Sequence, residues 1–314
     1  MAFRDSISKT WDVAIAGEIF IDHVFAGFEQ WPLPGTEYFT DHYVREVGGG
    51  AAITACALSR LGARAAAFGV IGTDDEWLRK RLDSFAIALD GLQQSPCGTA
   101  VSVSISTQED RSFLTWPGAN RELEDYLRHP LTQERLTHAS HVHLALPISR
   151  SLATQLFPRL RAAKCTISLD VGHQLEWLRD PVNLDTCREV DYFLPNELEG
   201  RLMTGRSEVH EILLELRANG VHGTVLKLGP AGAAALRGDN LCRALPPPVD
   251  VVDTTGAGDA FDAGFLHAFV AGHPLSAMLR WGCICGALST RSAGALGALP
   301  SPEELGRYQT TEEG

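Results

Sequence analysis

The sequence predicts an α/β fold: a doubly wound, mainly parallel sheet with helices on both faces and a small β-strand lid. Three observations carry that expectation. Short apolar or β-branched runs alternate with longer stretches of helical period. Two segments break the alternation with period-two patterning and no helix between. Beyond Ala257 the pattern is almost wholly helical.

Taken in order, Asp12–Gly17 (DVAIAG) reads as a strand, Ala51–Leu61 as a helix, Ala65–Ile71 as a strand and Asp74–Ser84 as a helix. Val142–Leu146, Thr166–Leu169 and Val225–Leu228 read as further buried strands. Between them, Ser151–Ala163 and Val209–Ala218 carry apolar residues at helical spacing, and two helices follow, through Gly272 and over Leu275–Ser292. The excursions are Thr36–Val47, and Thr99–Thr107 with Ser112–Trp116. Each is too short to bury a core alone. They are therefore placed as insertions, at about 20–46 and 97–117, that build the lid of a single domain over 1–314.

Composition narrows the function. The 314 residues are 45% apolar and 21% charged, enough to bury a sizeable core. Lys and Arg number 27 against 39 Asp and Glu, a net charge of −12 that argues against a nucleic-acid partner. No basic amphipathic stretch suggests a membrane surface. Ala51 to Gly72, the longest apolar region, is interrupted by Arg60 and Arg64, and Met1–Trp11 lacks the apolar run of a secretion signal. Seven cysteines without a CxxC fit a reducing, cytoplasmic setting. Cys283 and Cys285 on a helical pattern point apart, and His141 with His143 finds no third ligand, so neither pair reads as a metal site.

The most informative stretch is Val252-Asp253-Thr254-Thr255-Gly256-Ala257-Gly258-Asp259-Ala260-Phe261. Two glycines let the backbone approach a ligand, and the helix behind them presents its N-terminus to that turn, a geometry suited to an oxyanion. Asp259 falls in the first helical turn. Phosphate binding alone has no use for a carboxylate there. A hydroxyl attacking that phosphate does, because the carboxylate can take its proton. The competing reading is that Asp259 stabilises the helix start. Asn196-Glu197-Leu198-Glu199 reads as a capping box, and Lys227 closes a buried strand, where it could reach phosphate or snorkel to solvent. No Walker, dinucleotide or protein-kinase loop motif is present.

DTTGAGDAF closely resembles the C-terminal motif of the ribokinase-like (phosphofructokinase B) carbohydrate kinase family. Gly48-Gly49-Gly50-Ala51-Ala52 with Arg60-Leu61-Gly62, followed by Gly69-Val70-Ile71-Gly72-Thr73-Asp74, is similar to its N-terminal motif. The resemblance runs from about Trp11 to Pro300. It implies that Asp259 is the catalytic base, with Gly256, Ala257 and Gly258 as the anion hole. Asp253 and Thr255 match a monovalent-cation site, completed by a loop around Ala293–Ala295, although a turn-initiating Asp253 is the competing reading. Asn196 and Glu199 match an N-x-x-E that orients Mg²⁺, its waters and the nucleotide phosphates. Lys227, Gly229 and Gly232 match a strand-end turn that contacts the nucleotide. Asp22, Gly48 and Gly49 match acceptor-binding positions. Ile53 stands where many members carry an Asn that binds substrate, which would place an apolar side chain at the acceptor; packing in the core is the competing reading. Arg111, on the second lid segment, has no assigned role.

The implied function is ATP- and Mg²⁺-dependent transfer of a phosphoryl group to a hydroxyl of a sugar or sugar-like molecule, with K⁺ as an activator and a homodimer through the lids. A nucleoside kinase on the same fold is one alternative. A non-catalytic ligand sensor is another, which the intact Gly256, Gly258 and Asp259 disfavour.

Overall fold

The structure, a computed structural model, describes residues 9–107, 111–238 and 240–309. The strands begin with β1 (Trp11–Gly17), β2 (Phe20–Phe28), β3 (His42–Gly48), β4 (Ala65–Gly72), β5 (Ala88–Ser95), β6 (Ala100–Thr107) and β7 (Arg111–Trp116). They continue with β8 (Ala139–Ala145), β9 (Thr166–Asp170), β10 (Tyr192–Phe193), β11 (Val225–Lys227), β12 (Ala233–Arg237) and β13 (Asn240–Ala244). The first helices are α1 (Gly50–Arg60), α2 (Glu76–Asp83), α3 (Leu123–Arg128), α4 (Pro130–Leu136), α5 (Arg150–Ala162) and α6 (Leu175–Arg179). The others are α7 (Leu184–Arg188), α8 (Glu197–Thr204), α9 (Val209–Ala218), α10 (Ala257–Val270), α11 (Leu275–Ser289) and α12 (Pro302–Gln309).

Six parallel strands form the main sheet in the order β10-β9-β8-β1-β4-β5. Parallel bridges from Phe193 to Thr224 and from Asn196 to Lys227 continue it into the antiparallel set β11-β12-β13. Such a sheet is covered on both faces, and its strands are apolar on both. Within β1, Val13 and Ile15 enter one core with α1 and α10 residues such as Ala52 and Phe265. Ala14 and Ala16 enter the opposite core with Leu127 and Leu156 of α3 and α5.

A four-stranded sheet, β3-β2-β6-β7, stands apart from the main one. Its outer pairs are antiparallel, while β2 and β6 run parallel. Val24, Glu46 and Ser104 of this lid are buried, whereas Phe39, Tyr43, Leu114 and Trp116 are exposed. Arg111 opens β7, and its side chain lies outside the described part of the structure.

One expectation needs correction, and two strands went unannounced. Asp22, in the lid segment placed at about 20–46, lies on β2, where Ile21 and Val24 are buried. Of Thr36–Val47, only the part from His42 forms a strand. The polar edge strand β5 (ALDGLQQS) has neither an apolar run nor clean alternation to announce it.

Candidate active site

The carboxyl ends of β1, β8, β9 and β11 and the start of α10 converge on one cleft, where open α/β sheets place their ligands. Gly256 caps α10 with φ 72°, a left-handed conformation that suits glycine. The first N–H groups of such a helix lack partners within it, so they and the helix dipole face the turn. Ile53 and Ala295 press against Gly256: a Cβ built there would lie 2.6 Å from Ala295 Cβ and 3.2 Å from Ile53 Cδ1. Of the two positions the sequence left open for Ile53, at the acceptor or packed in the core, its side chain takes the packed one beside Gly256. It is 3% exposed and packs under the glycine turn.

Asp259, half-buried, meets the second glycine segment. A Cβ on Gly50 would stand 3.0 Å from Asp259 Oδ1, and a Cβ on Gly48 would collide with the carboxylate of Asp22 at 2.1 Å. Between them, Gly49 has φ 90° and passes over the Glu18 carbonyl at 2.3 Å from its own virtual Cβ, room that a side chain would fill. The three glycines thus run from one carboxylate to the other. Burial first, then the Asp170 charge, pushes Asp259 up to about 7. Burial, with Asp253 and Glu46, pushes Asp22 up to about 7.

Asp253 ties two loops together. Its Oδ1 accepts the N–H and hydroxyl of Thr255 at 2.9 and 2.7 Å, and its Oδ2 accepts the Gly294 N–H at 2.9 Å. The turn-initiating geometry and the proximity to the Ala293–Ala295 loop are both present.

On α8, the capping box forms in full. Asn196 Oδ1 accepts the Glu199 N–H at 3.0 Å, and Glu199 accepts the Asn196 N–H at 2.8 Å and its Nδ2 at 2.6 Å. Glu199 is only 2% exposed, and burial and Asp170 push it up to about 7.

Lys227, read as reaching phosphate or snorkelling to solvent, is held by two carboxylates. It lines the cleft, with its Nζ 2.6 Å from Asp170 Oδ2, 3.2 Å from Asp262 Oδ1 and 3.5 Å from a Cβ built on Gly258. Asp170 also accepts the Gly172 N–H at 2.9 Å. Burial raises Asp170, but Lys227 beside it brings its carboxyl down to about 2, whereas burial leaves Asp262 well above the usual range. His143 Nε2 approaches Asp262 Oδ2 at 3.7 Å, and a chain of bonds links His143 and His141 through Ser168. Sequence reading missed Asp170 and Asp262. Asp262 did carry a signal, an acid three residues after Asp259 on the apolar helix, at a position destined for the interior.

Two cavities meet along Val251–Thr254. One, of about 590 Å³, lies beneath the lid between Val24, Tyr43 and Val44 and the segment Val251 to Thr254. The other, of about 600 Å³, is mostly apolar and runs from Gly229, Gly232 and Pro246–Pro248 to Gly258, Phe261 and Thr290. A small-molecule site falls in this size range. Ala257 and Gly258, at the start of α10, line the second cavity.

A body of parallel strands, a strand lid and a glycine turn at a helix N-terminus together define a kinase of the ribokinase-like class. The sequence profile of pfkB family carbohydrate kinase matches residues 12–302, and the chain belongs to that family. It is an ATP-dependent carbohydrate kinase. It is 25% identical over 315 residues to an ATP-dependent 6-phosphofructokinase of Thermoanaerobacterium thermosaccharolyticum, covering 96% of each chain. A cytidine kinase of Thermococcus kodakarensis is 30% identical over 243 residues, 75% of this chain and 84% of that one. Ribokinase of Arabidopsis thaliana, solved with ribose and ATP, superposes with a TM-score of 0.83 at 24% identity, covering 96% of this chain and 99% of that one. No helix among the described residues is long and apolar enough to cross a membrane.

Proposed function

We propose that this enzyme transfers the γ-phosphoryl group of ATP to a hydroxyl of a sugar-like acceptor held beneath the lid, with Asp259 as the base. The observation that supports this most is the seat of the Asp259 carboxylate, in the first turn of α10 and against Gly50. Asp259 takes the proton of the attacking hydroxyl, and a value near 7 suits a base working at neutral pH. Gly256, Ala257 and Gly258 direct backbone N–H groups and the helix dipole at the oxygens of the transferred group. Asp22, beside Gly48 and Gly49, accepts hydrogen bonds from acceptor hydroxyls. Gly229 and Gly232 shape the nucleotide side, and Lys227 lines it with its Nζ beside Gly258.

Mg²⁺ and K⁺ belong to the same reading. The buried Glu199 is a hard oxygen donor whose charge lacks sufficient compensation, which fits Mg²⁺ held through water with Asn196. Asp253 and Thr255, joined to the Gly294 loop, would hold K⁺. When bound, these cations supply positive charge beside the phosphates. The lid's exposed Phe39, Leu114 and Trp116 support pairing with a second copy, and the free cysteines are in keeping with the cytoplasm.

A nucleoside acceptor is the second reading. The apolar and aromatic wall of Val24, Tyr43, Val44 and Val251 under the lid favours it, since such a wall suits a base. ADP release on ribose, fructose, deoxyribose and cytidine, with and without Mg²⁺ and K⁺, tests the proposal. Turnover on at least one acceptor, lost without Mg²⁺, is expected; ATP left intact with all of them contradicts it.

A further inference from the structure

Asp262 is a carboxyl that the phosphoryl transfer itself does not use. It lies one turn along α10 from Asp259 and is 0% exposed. Burying an acid is costly without partners, and an apolar side chain would pack there at less cost. Its charged partner is Lys227 of β11, whose Nζ lies 3.2 Å from Asp262 Oδ1 and 3.4 Å from Oδ2. The same Nζ is 2.6 Å from Asp170 Oδ2 on β9. Lys227 also lines the cleft on the nucleotide side. A Cβ built on Gly258 would stand 3.5 Å from that Nζ. Outside α10 and the chain neighbours of Gly258, no other atom of the described residues comes within 4 Å of that point. The space over Gly258 is therefore open and bordered by an ammonium.

An ammonium carries three N–H donors. Asp170 holds one from β9 and Asp262 a second from α10, which leaves the third for the space over Gly258. We infer that Asp262 is a positioning residue: it draws the Lys227 ammonium off Asp170 and keeps the third donor over Gly258, at the transferred phosphoryl group. The inference rests on the kinase reading above. Burial holds the Asp262 carboxyl well above the usual range, so it serves as a neutral acceptor while Asp170 balances the ammonium. On its other side His143 Nε2, without a hydrogen-bond partner, lies 3.7 Å from Asp262 Oδ2. Burial brings that imidazole down to about 4, so no second cation competes for Asp262. Without Asp262, no acceptor on α10 holds Nζ, and the ammonium settles on Asp170.

Steady-state kinetics with ATP, Mg²⁺ and the best acceptor of the panel test this. The parent is compared with Asp262→Asn, Asp262→Leu, Lys227→Met and the double variant carrying Lys227→Met and Asp262→Leu. Asn keeps an acceptor oxygen at the same reach, so kcat should stay within about fivefold of the parent. Leu removes it, and kcat should fall at least ~30-fold while the acceptor KM stays within about threefold. Lys227→Met should fall at least as far, and the double variant should lie within about threefold of it, because Asp262 acts through Lys227. Circular dichroism identifies the folded variants. If Asp262→Leu does not fold, Asp262→Ser, whose hydroxyl stops short of Nζ, is held to the same limits. A Leu or Ser variant within about fivefold of the parent kcat overturns the inference, as does an equal loss in Asp262→Asn. Losses that multiply in the double variant also overturn it, since the two residues then act separately. Each of these results leaves the parent turning over and the kinase reading standing. A parent that turns over no acceptor removes that reading and the inference with it.

Discussion

Asp259 combines burial with a nearby ionised Asp170, and the two together raise its carboxyl to about 7. Two consequences follow for this one side chain. As a base it must be ionised, so kcat/KM should rise with pH on a limb centred near 7, and Asp259→Asn should lower kcat by at least ~10²-fold. Its folded-state value lies above the ordinary 3.8, so the stability linked to it is present below about pH 4 and lost as pH rises through 7. Asp259→Asn should therefore melt higher than the parent at pH 8, with the gap closing towards pH 4. Paired thermal scans across that range check this, and an Asn variant that melts lower at pH 8 would contradict it. Asp259 was legible because its glycine neighbours make an unusual local pattern. Its partner Asp170 was not, because its contact with Lys227 joins residues 57 positions apart.

At the scale of elements, the glycine turn stands on the side chains beneath it. Ile53, which the sequence left between the acceptor and the core, supports Gly256 from the core because α1 turns its first-turn side chains towards α10. Ile53→Asn would bury an amide without partners, at a cost of about 1–3 kcal/mol. The expected result is a lower melting temperature with unchanged acceptor preference; a stable variant with altered preference would restore the reading of Ile53 as an acceptor contact. The ends of β9, β11 and α10 are joined by the Lys227 ion pairs. Lys227→Met leaves Asp170 buried without its counter-charge, which costs about 3–5 kcal/mol. Adding Asp170→Asn should recover much of that loss, and a double variant no more stable than Lys227→Met would show that the pairing is not what holds these ends. The capping box was readable because its spacing is local, whereas β5 and β2 needed the neighbouring strands to define them.

Across the whole molecule, the alternation of strand and helix was plain in the sequence because parallel strands buried on both faces leave continuous apolar runs. How the strand-rich segments assemble was less plain, since β2 joins β6 in parallel across more than 70 residues. That assembly places the lid over the first cavity, and the body then supplies the second, from Gly229 to Gly258. The central claim is transfer of a phosphoryl group from ATP to a hydroxyl through Asp259. Phosphorus NMR of enzyme, Mg²⁺, ATP and the best acceptor from the panel tests it directly. The parent enzyme should convert the γ-phosphorus signal into a new phosphomonoester, one for each ADP formed, while Asp259→Asn binds ATP and forms none. Inorganic phosphate in place of the monoester, or an Asn variant that retains more than about a tenth of the parent rate, would contradict the account.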